Sequence, residues 1–224
     1  MTKDFQPYKF FNDGYNILQT PKPFYDVAKE FLANSVFIGP GPKIHADLIP
    51  DDVPDEGYHT EVWREKMLRH TAPIELKNLA NMFLESDIAT SLKQSLANTD
   101  NKNHLWVKDI QPISYFCFDG VEAEAVGDED ETALIWHTDV RDSADFFCLF
   151  YFNSHENWDP QWGGNILFGK EQEDGSVNKL AAHFPDDGTF VMINNTNPYF
   201  RHKVRPIIHN ILERKVISIY FRTI

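Results

Sequence analysis

Apolar positions recur along this chain with two different periods, and the change comes near residue 103. Before it, the spacing is helical. Residues 24–33 carry Phe24, Val27, Ala28, Phe31 and Leu32 three to four apart. Ile74–Leu84 and residues 88–96 repeat that spacing, with Thr71 and Asp87 as candidate N-caps. A shorter helix is predicted over 61–69, capped by Thr60. Between these segments lie a break at Gly39-Pro40-Gly41-Pro42 and an acidic, proline-punctuated loop over 47–57. From residue 103 onward the period shortens to two. Strands are predicted over 106–118, 134–139, 146–152, 165–168, 189–194, 200–208 and 215–222. Turn residues divide them at Asp119-Gly120, Gly163-Gly164, Asp187-Gly188 and Asn195-Thr196-Asn197-Pro198. Helices followed by a run of short strands imply an α+β fold, mainly β. The expected architecture is a double-stranded β-helix (jelly roll) buttressed by N-terminal helices. One domain is expected over 1–224, with mostly helical support over 1–102 and the jelly-roll core over 103–224.

Composition narrows the function. The chain has 224 residues, enough for one full-sized core, and its 18 phenylalanines predict an aromatic interior. A net charge of −13 repels phosphate backbones, so no nucleic-acid partner is expected. A basic partner or a small substrate in a local pocket stays open. Cys117 and Cys148 both lie in apolar alternating runs, which suggests buried thiols and not a bridge. The N-terminal MTKDFQPYKFF lacks the apolar core of a signal peptide, and no run approaches membrane-spanning length. A cytoplasmic protein with no membrane association is the expectation. Asn194-Asn195-Thr196 matches a glycosylation acceptor only formally.

Candidate chemistry centres on His137-Thr138-Asp139. Residues two apart on a strand project to one side. Two imidazoles and one carboxylate form a facial triad, which holds a divalent iron on one face and leaves the other open. An H-x-D tripeptide alone is weak, but this one ends the apolar run Ala133-Leu134-Ile135-Trp136, where a barrel mouth would gather ligands. His202 is the candidate third ligand; a structural histidine is the plain alternative. His183 and His209 lie near strands and are backup ligands, whereas His45, His59, His70, His104 and His155 show no partner pattern. Arg214 or Lys215 opens the last strand, and only one of the two can point inward. Arg214 is favoured, because a guanidinium grips a carboxylate with two parallel hydrogen bonds. Residues 122–131 hold six acidic side chains, read either as a solvated loop or as a lid that draws in a cationic substrate.

Several segments occur in an order that resembles a known family. His137-Thr138-Asp139 is followed by Phe150-Tyr151-Phe152-Asn153, then by Trp162-Gly163-Gly164-Asn165-Ile166-Leu167-Phe168. After these come Phe184-Pro185-Asp186-Asp187-Gly188, His202-Lys203-Val204-Arg205-Pro206-Ile207, and Arg214 with Tyr220 six residues on. The series resembles the Fe(II)/2-oxoglutarate-dependent oxygenases, in particular their prolyl-4-hydroxylase-like branch, over about residues 110–221. The resemblance implies that His137, Asp139 and His202 ligate Fe(II) and that Arg214 binds the distal carboxylate of 2-oxoglutarate. Tyr115 becomes a further hydrogen-bond donor to that cosubstrate, or else a core aromatic. Trp136, Phe147 and Tyr151 would exclude water or simply pack. The chain departs from the common pattern at Ile135-Trp136, where many relatives carry Tyr, and at Leu212-Glu213 and Val216 around the arginine. The implied chemistry is oxidative decarboxylation of 2-oxoglutarate to succinate, consuming dioxygen and hydroxylating a C–H bond, with ascorbate as a candidate reductant. A prolyl residue of a peptide or protein is the leading substrate. A free amino acid or other small molecule is the alternative within that chemistry. Outside it stand a non-catalytic metal- and ligand-binding jelly-roll module and a cupin-like metalloenzyme.

Overall fold

The computed structural model describes residues 4–35, 63–67, 74–100, 104–117, 136–138, 144–153, 158–205 and 213–223. The elements run α1 (Pro7–Asp13), β1 (Tyr15–Gln19), α2 (Lys22–Ala33), β2 (Trp63–Met67), α3 (Ile74–Leu84), α4 (Asp87–Asp100), β3 (Leu105–Cys117), β4 (Phe146–Tyr151), β5 (Ile166–Glu171), β6 (Val177–His183), β7 (Thr189–Asn194), β8 (Phe200–Val204) and β9 (Glu213–Thr223). Six strands form one antiparallel sheet in the order β1-β7-β4-β9-β3-β2, and three form a smaller sheet in the order β6-β5-β8. The expected jelly-roll arrangement of two sheets is present, with helices on the larger one and, among the described residues, no closed barrel.

Burial on both faces explains why the central strands read as apolar runs. On β4, Phe146, Cys148 and Phe150 join the cluster shared with the helices, while Phe147, Leu149 and Tyr151 join the cluster between the sheets. β7 divides likewise: Phe190 and Met192 face the helices, Val191 and Ile193 face inward. On β9, Ile217, Ile219 and Phe221 pack under the helices, and Val216 and Tyr220 face inward. Helices α2, α3 and α4 cover the sheet with Phe24, Ala28, Leu32, Leu76, Leu79, Phe83, Leu92 and Leu96. Phe83 is the centre of this layer: its ring meets those of Phe24, Phe150, Phe190 and Phe221. Cys148 is a free, fully buried thiol, and burial pushes its pKa well up.

Several expectations are corrected. The segment expected to be helical over 61–69 contains β2, an edge strand paired antiparallel with β3. Its local pattern was helix-compatible, but pairing with an open sheet edge satisfies its backbone. Three elements were missed: α1, the five-residue β1, and β6, whose burial pattern is mostly exposed and so carries no apolar alternation. The N-terminal half therefore supplies both edge strands of the large sheet, β1 and β2, besides the helices. Ser86, not Asp87, caps α4, since its Oγ accepts from Ala89 N at 3.2 Å. Asp87 is the first helical residue, where its charge suits the helix dipole. Val27, counted on the apolar face of α2, is exposed. Thr60, Thr71, the Gly-Pro break, the 47–57 loop and the acidic stretch 122–131 lie outside the described residues.

Phe83→Ala removes a wholly buried ring from the helix-sheet layer. The expected cost is about 3–5 kcal/mol, read as a lower midpoint in urea unfolding at unchanged slope.

Candidate active site

The two sheets bring His137 and His202 side by side. His137 forms an isolated antiparallel bridge with His202 at the free edge of β8. Both backbone hydrogen bonds are made, His137 N to His202 O and His202 N to His137 O, each at 3.0 Å. Directly opposed residues of an antiparallel pair share a face, so the two imidazoles meet across the ladder. Their ring centroids are 4.4 Å apart, with the planes tilted by 52°. His202 is buried and His137 half-buried. Phe147 and Phe200 pack beside the His202 ring, at 5.7 and 5.9 Å between centroids. Two neighbouring imidazoles on one face suit a divalent ion that accepts nitrogen donors, iron included. Asp139, the proposed third ligand, lies outside the described residues, and among the described ones no group of three acidic, cysteine or histidine side chains gathers around a point.

Arg214 enters from the opposite sheet. Alternation along β9 puts the buried Arg214 on the inward face with Val216 and Tyr220, and Lys215 on the other. The guanidinium is buried at 5% exposure, and Nη1 donates to Gly164 O at 2.6 Å. That carbonyl is presented by the Gly163-Gly164 turn, whose φ values of 69° and 72° belong to the left-handed region. A side chain at either position would strain the turn that aims the carbonyl. In the backbone register, Tyr115 of β3 stands directly opposite Arg214.

Two residues that the sequence reading gave lesser parts also line the space between the sheets. Tyr151 is 2% exposed, and burial raises its phenol to about 12 while the nearby Arg214 charge pulls the other way. It is therefore a neutral hydroxyl donor within the field of the guanidinium. His183 ends β6, with its ring 5.8 Å from that of Tyr151 and Nε2 3.0 Å from Thr189 Oγ1. It sits two strands away from β8 in the small sheet, apart from the His137–His202 pair. The backup ligand His209 lies outside the described residues. Trp136 does not face the histidine pair: its ring packs at Gly169 and beneath Lys203 Nζ, 4.7 Å from the centroid. Phe147 and Tyr151 do face the interior. Inward alternation on β4 was the signal that could have singled out Tyr151.

Residues 124–222, a little under half of the chain, match the 2OG-Fe(II) oxygenase superfamily, and this segment contains His137, Asp139, His202 and Arg214. Over this segment the chain is similar to that superfamily, in the ordered motifs as in the match. The fold is similar to that of a prolyl-4-hydroxylase from Pseudomonas putida, at 14% identity and a TM-score of 0.50, covering 96% of each chain. It is also similar to a Trichoplax adhaerens prolyl hydroxylase in complex with a hypoxia inducible factor oxygen degradation domain peptide fragment, at 13% identity and a TM-score of 0.53, covering 96% of this chain and 86% of that one. HygX from Streptomyces hygroscopicus, solved with nickel, 2-oxoglutarate and hygromycin B, matches at 11% identity and a TM-score of 0.53, covering 96% of this chain and 85% of that one. No curated protein matches the chain in sequence. Among the described residues, no helix is long and apolar enough to cross a membrane.

Burial lowers the His183 imidazole from 6.5 to about 4. The unfolded chain therefore binds more protons at this site than the folded protein between those values, so stability falls as pH drops through that window. Between pH 7 and pH 5 the wild type is expected to lose about 2 kcal/mol relative to His183→Gln, which cannot titrate. Urea unfolding of both proteins at the two pH values measures the difference.

Proposed function

We propose that this protein is an Fe(II)- and 2-oxoglutarate-dependent dioxygenase that hydroxylates a C–H bond of a prolyl residue in a peptide or protein. The observation that carries the dioxygenase reading is the placement of the His137–His202 pair on one sheet and an inward, buried Arg214 on the other. The prolyl assignment is supported by the ordered motif series and by the prolyl-4-hydroxylase-like fold. His137, Asp139 and His202 would hold the iron, which suits two nitrogen donors and one carboxylate. When bound with 2-oxoglutarate and dioxygen, it supplies oxidative decarboxylation to succinate and transfer of oxygen to the substrate carbon.

The remaining work falls to the chain itself. Arg214 receives the distal carboxylate of the cosubstrate; its Nη1 is tied to Gly164 O, which sets the plane of the fork. Tyr151 stays protonated and donates its hydroxyl to the same carboxylate. Tyr115, opposite Arg214 in the backbone register, would be a further hydrogen-bond donor to the cosubstrate. Phe147, Phe168, Phe200 and Tyr220 keep water out of the space between the sheets. The acidic stretch 122–131 precedes the metal strand in sequence and offers attraction to a target with basic residues around its proline.

His137→Ala is expected to abolish succinate formation from 2-oxoglutarate in the presence of Fe(II) and ascorbate. Undiminished turnover would remove His137 from the metal site. Arg214→Ala is expected to weaken 2-oxoglutarate binding by more than about tenfold while metal binding persists, since a hydrogen bond to a charged group contributes about 1.5–3 kcal/mol. A cupin-like metalloenzyme would show no such loss.

Substrate class is tested by stoichiometric succinate release with proline-containing peptides flanked by basic residues. Coupled turnover with such peptides is expected. Turnover with free amino acids or another small molecule and with no peptide would overturn the prolyl assignment while leaving the dioxygenase reading intact. Metal and 2-oxoglutarate binding without decarboxylation would point to a non-catalytic module.

A further inference from the structure

His183 is a buried histidine without a part in the iron site. It is 6% exposed and pairs in register with Ile166, which belongs to the cluster between the sheets. Cross-strand partners share a face, so His183 points into that space, where it meets the Tyr151 ring. Its tautomer follows from its partner. Thr189 Oγ1 donates its single hydrogen to Asp186 O at 2.8 Å, so toward His183 Nε2 it can only accept. The proton is therefore on Nε2, and Nδ1 carries a lone pair. Among the described residues, the charged and titratable groups facing the ring from the packed strands are Tyr151 and, beyond it, Arg214, whose charge reaches Tyr151. The nearby carboxylates are turned elsewhere: Asp186 accepts from Trp158 N, and Asp187 is held by Tyr25, Lys29 and Asn153 N.

We propose that His183 is the far wall of the pocket for the distal carboxylate of the diacid, and that Nδ1 takes up a proton from solvent when that carboxylate arrives. The inference rests on the reading of Arg214 as the carboxylate site. In the pocket without diacid, the ring is neutral, because burial disfavours the imidazolium and Arg214 adds no counter-charge. A bound carboxylate changes that balance. A unit negative charge about 6 Å from an imidazole, through an effective dielectric of about 20, raises its pKa by about two. That recovers most of what burial removes, so the imidazolium becomes a second positive charge facing the carboxylate. A 2-oxo acid without the distal carboxylate brings no such charge. His183 thus favours a diacid over a monoacid, increasingly so as the pH falls.

The test uses zinc(II)-loaded protein, nitrogen-15 NMR of the histidine side chains, and His183→Gln to assign the signal. With 2-oxoglutarate, the His183 titration midpoint is expected to rise by about two pH values. With 2-oxobutanoate it is expected to stay in place. From pH 7.5 to 5.5, wild-type affinity for 2-oxoglutarate is expected to gain about fourfold over that of His183→Gln, which keeps a donor for Thr189 but does not titrate. An unmoved midpoint with 2-oxoglutarate bound in an Arg214-dependent way would overturn this inference and leave the assignment of Arg214 standing. The same affinity gain in His183→Gln would also overturn it. Equal binding of 2-oxoglutarate by Arg214→Ala would show instead that the carboxylate site itself is wrongly placed, and the inference would fall with it.

Discussion

Two backbone hydrogen bonds between His137 and His202 are the contact on which the candidate site depends. They dock a segment distant in sequence against the edge of β8 and set its register. Register decides which side chains reach the interior, because a slip of one residue reverses every face. In the observed register, His137 and His202 face inward together, and Trp136 lies on the outer face against Gly169 and Lys203. A docking shifted by one position would send the indole inward and the imidazole out.

The larger sheet holds the other half of the arrangement rigid. Its central strands are buried on both sides, by helices on one face and by the small sheet on the other. Phe83, Phe150 and Phe190 form the helix-side layer, and the same strands present Phe147, Tyr151 and Arg214 to the interior. Packing on the helix face thereby positions polar groups on the site face.

Between the sheets, a guanidinium, a phenol and a neutral imidazole share an apolar space with the histidine pair. Burial acts on the last two in the same sense, since it favours the uncharged form of each. Arg214 is then the fixed cation of the pocket, tethered by a glycine-turn carbonyl. This is an environment in which one added carboxylate alters the electrostatics of every neighbour.

Much of this was legible in the chain itself. Residue type and spacing at His137-Thr138-Asp139, His202 and Arg214 suggested iron chemistry and a carboxylate clamp. The change of period near residue 103 marked the passage from helices to strands. Elements whose stability comes from partners were not legible: β2 read as a helix, and the exposed β6 read as nothing, because edge pairing leaves no apolar signature of its own. The inward placement of Arg214 and Tyr151 and the burial of His183 appear only in the tertiary structure. Each depends on which face of a strand is buried and on what lies across the space between two sheets. A linear pattern names the chemical groups a protein owns; burial and cross-sheet distance decide which of them meet and in what charge state.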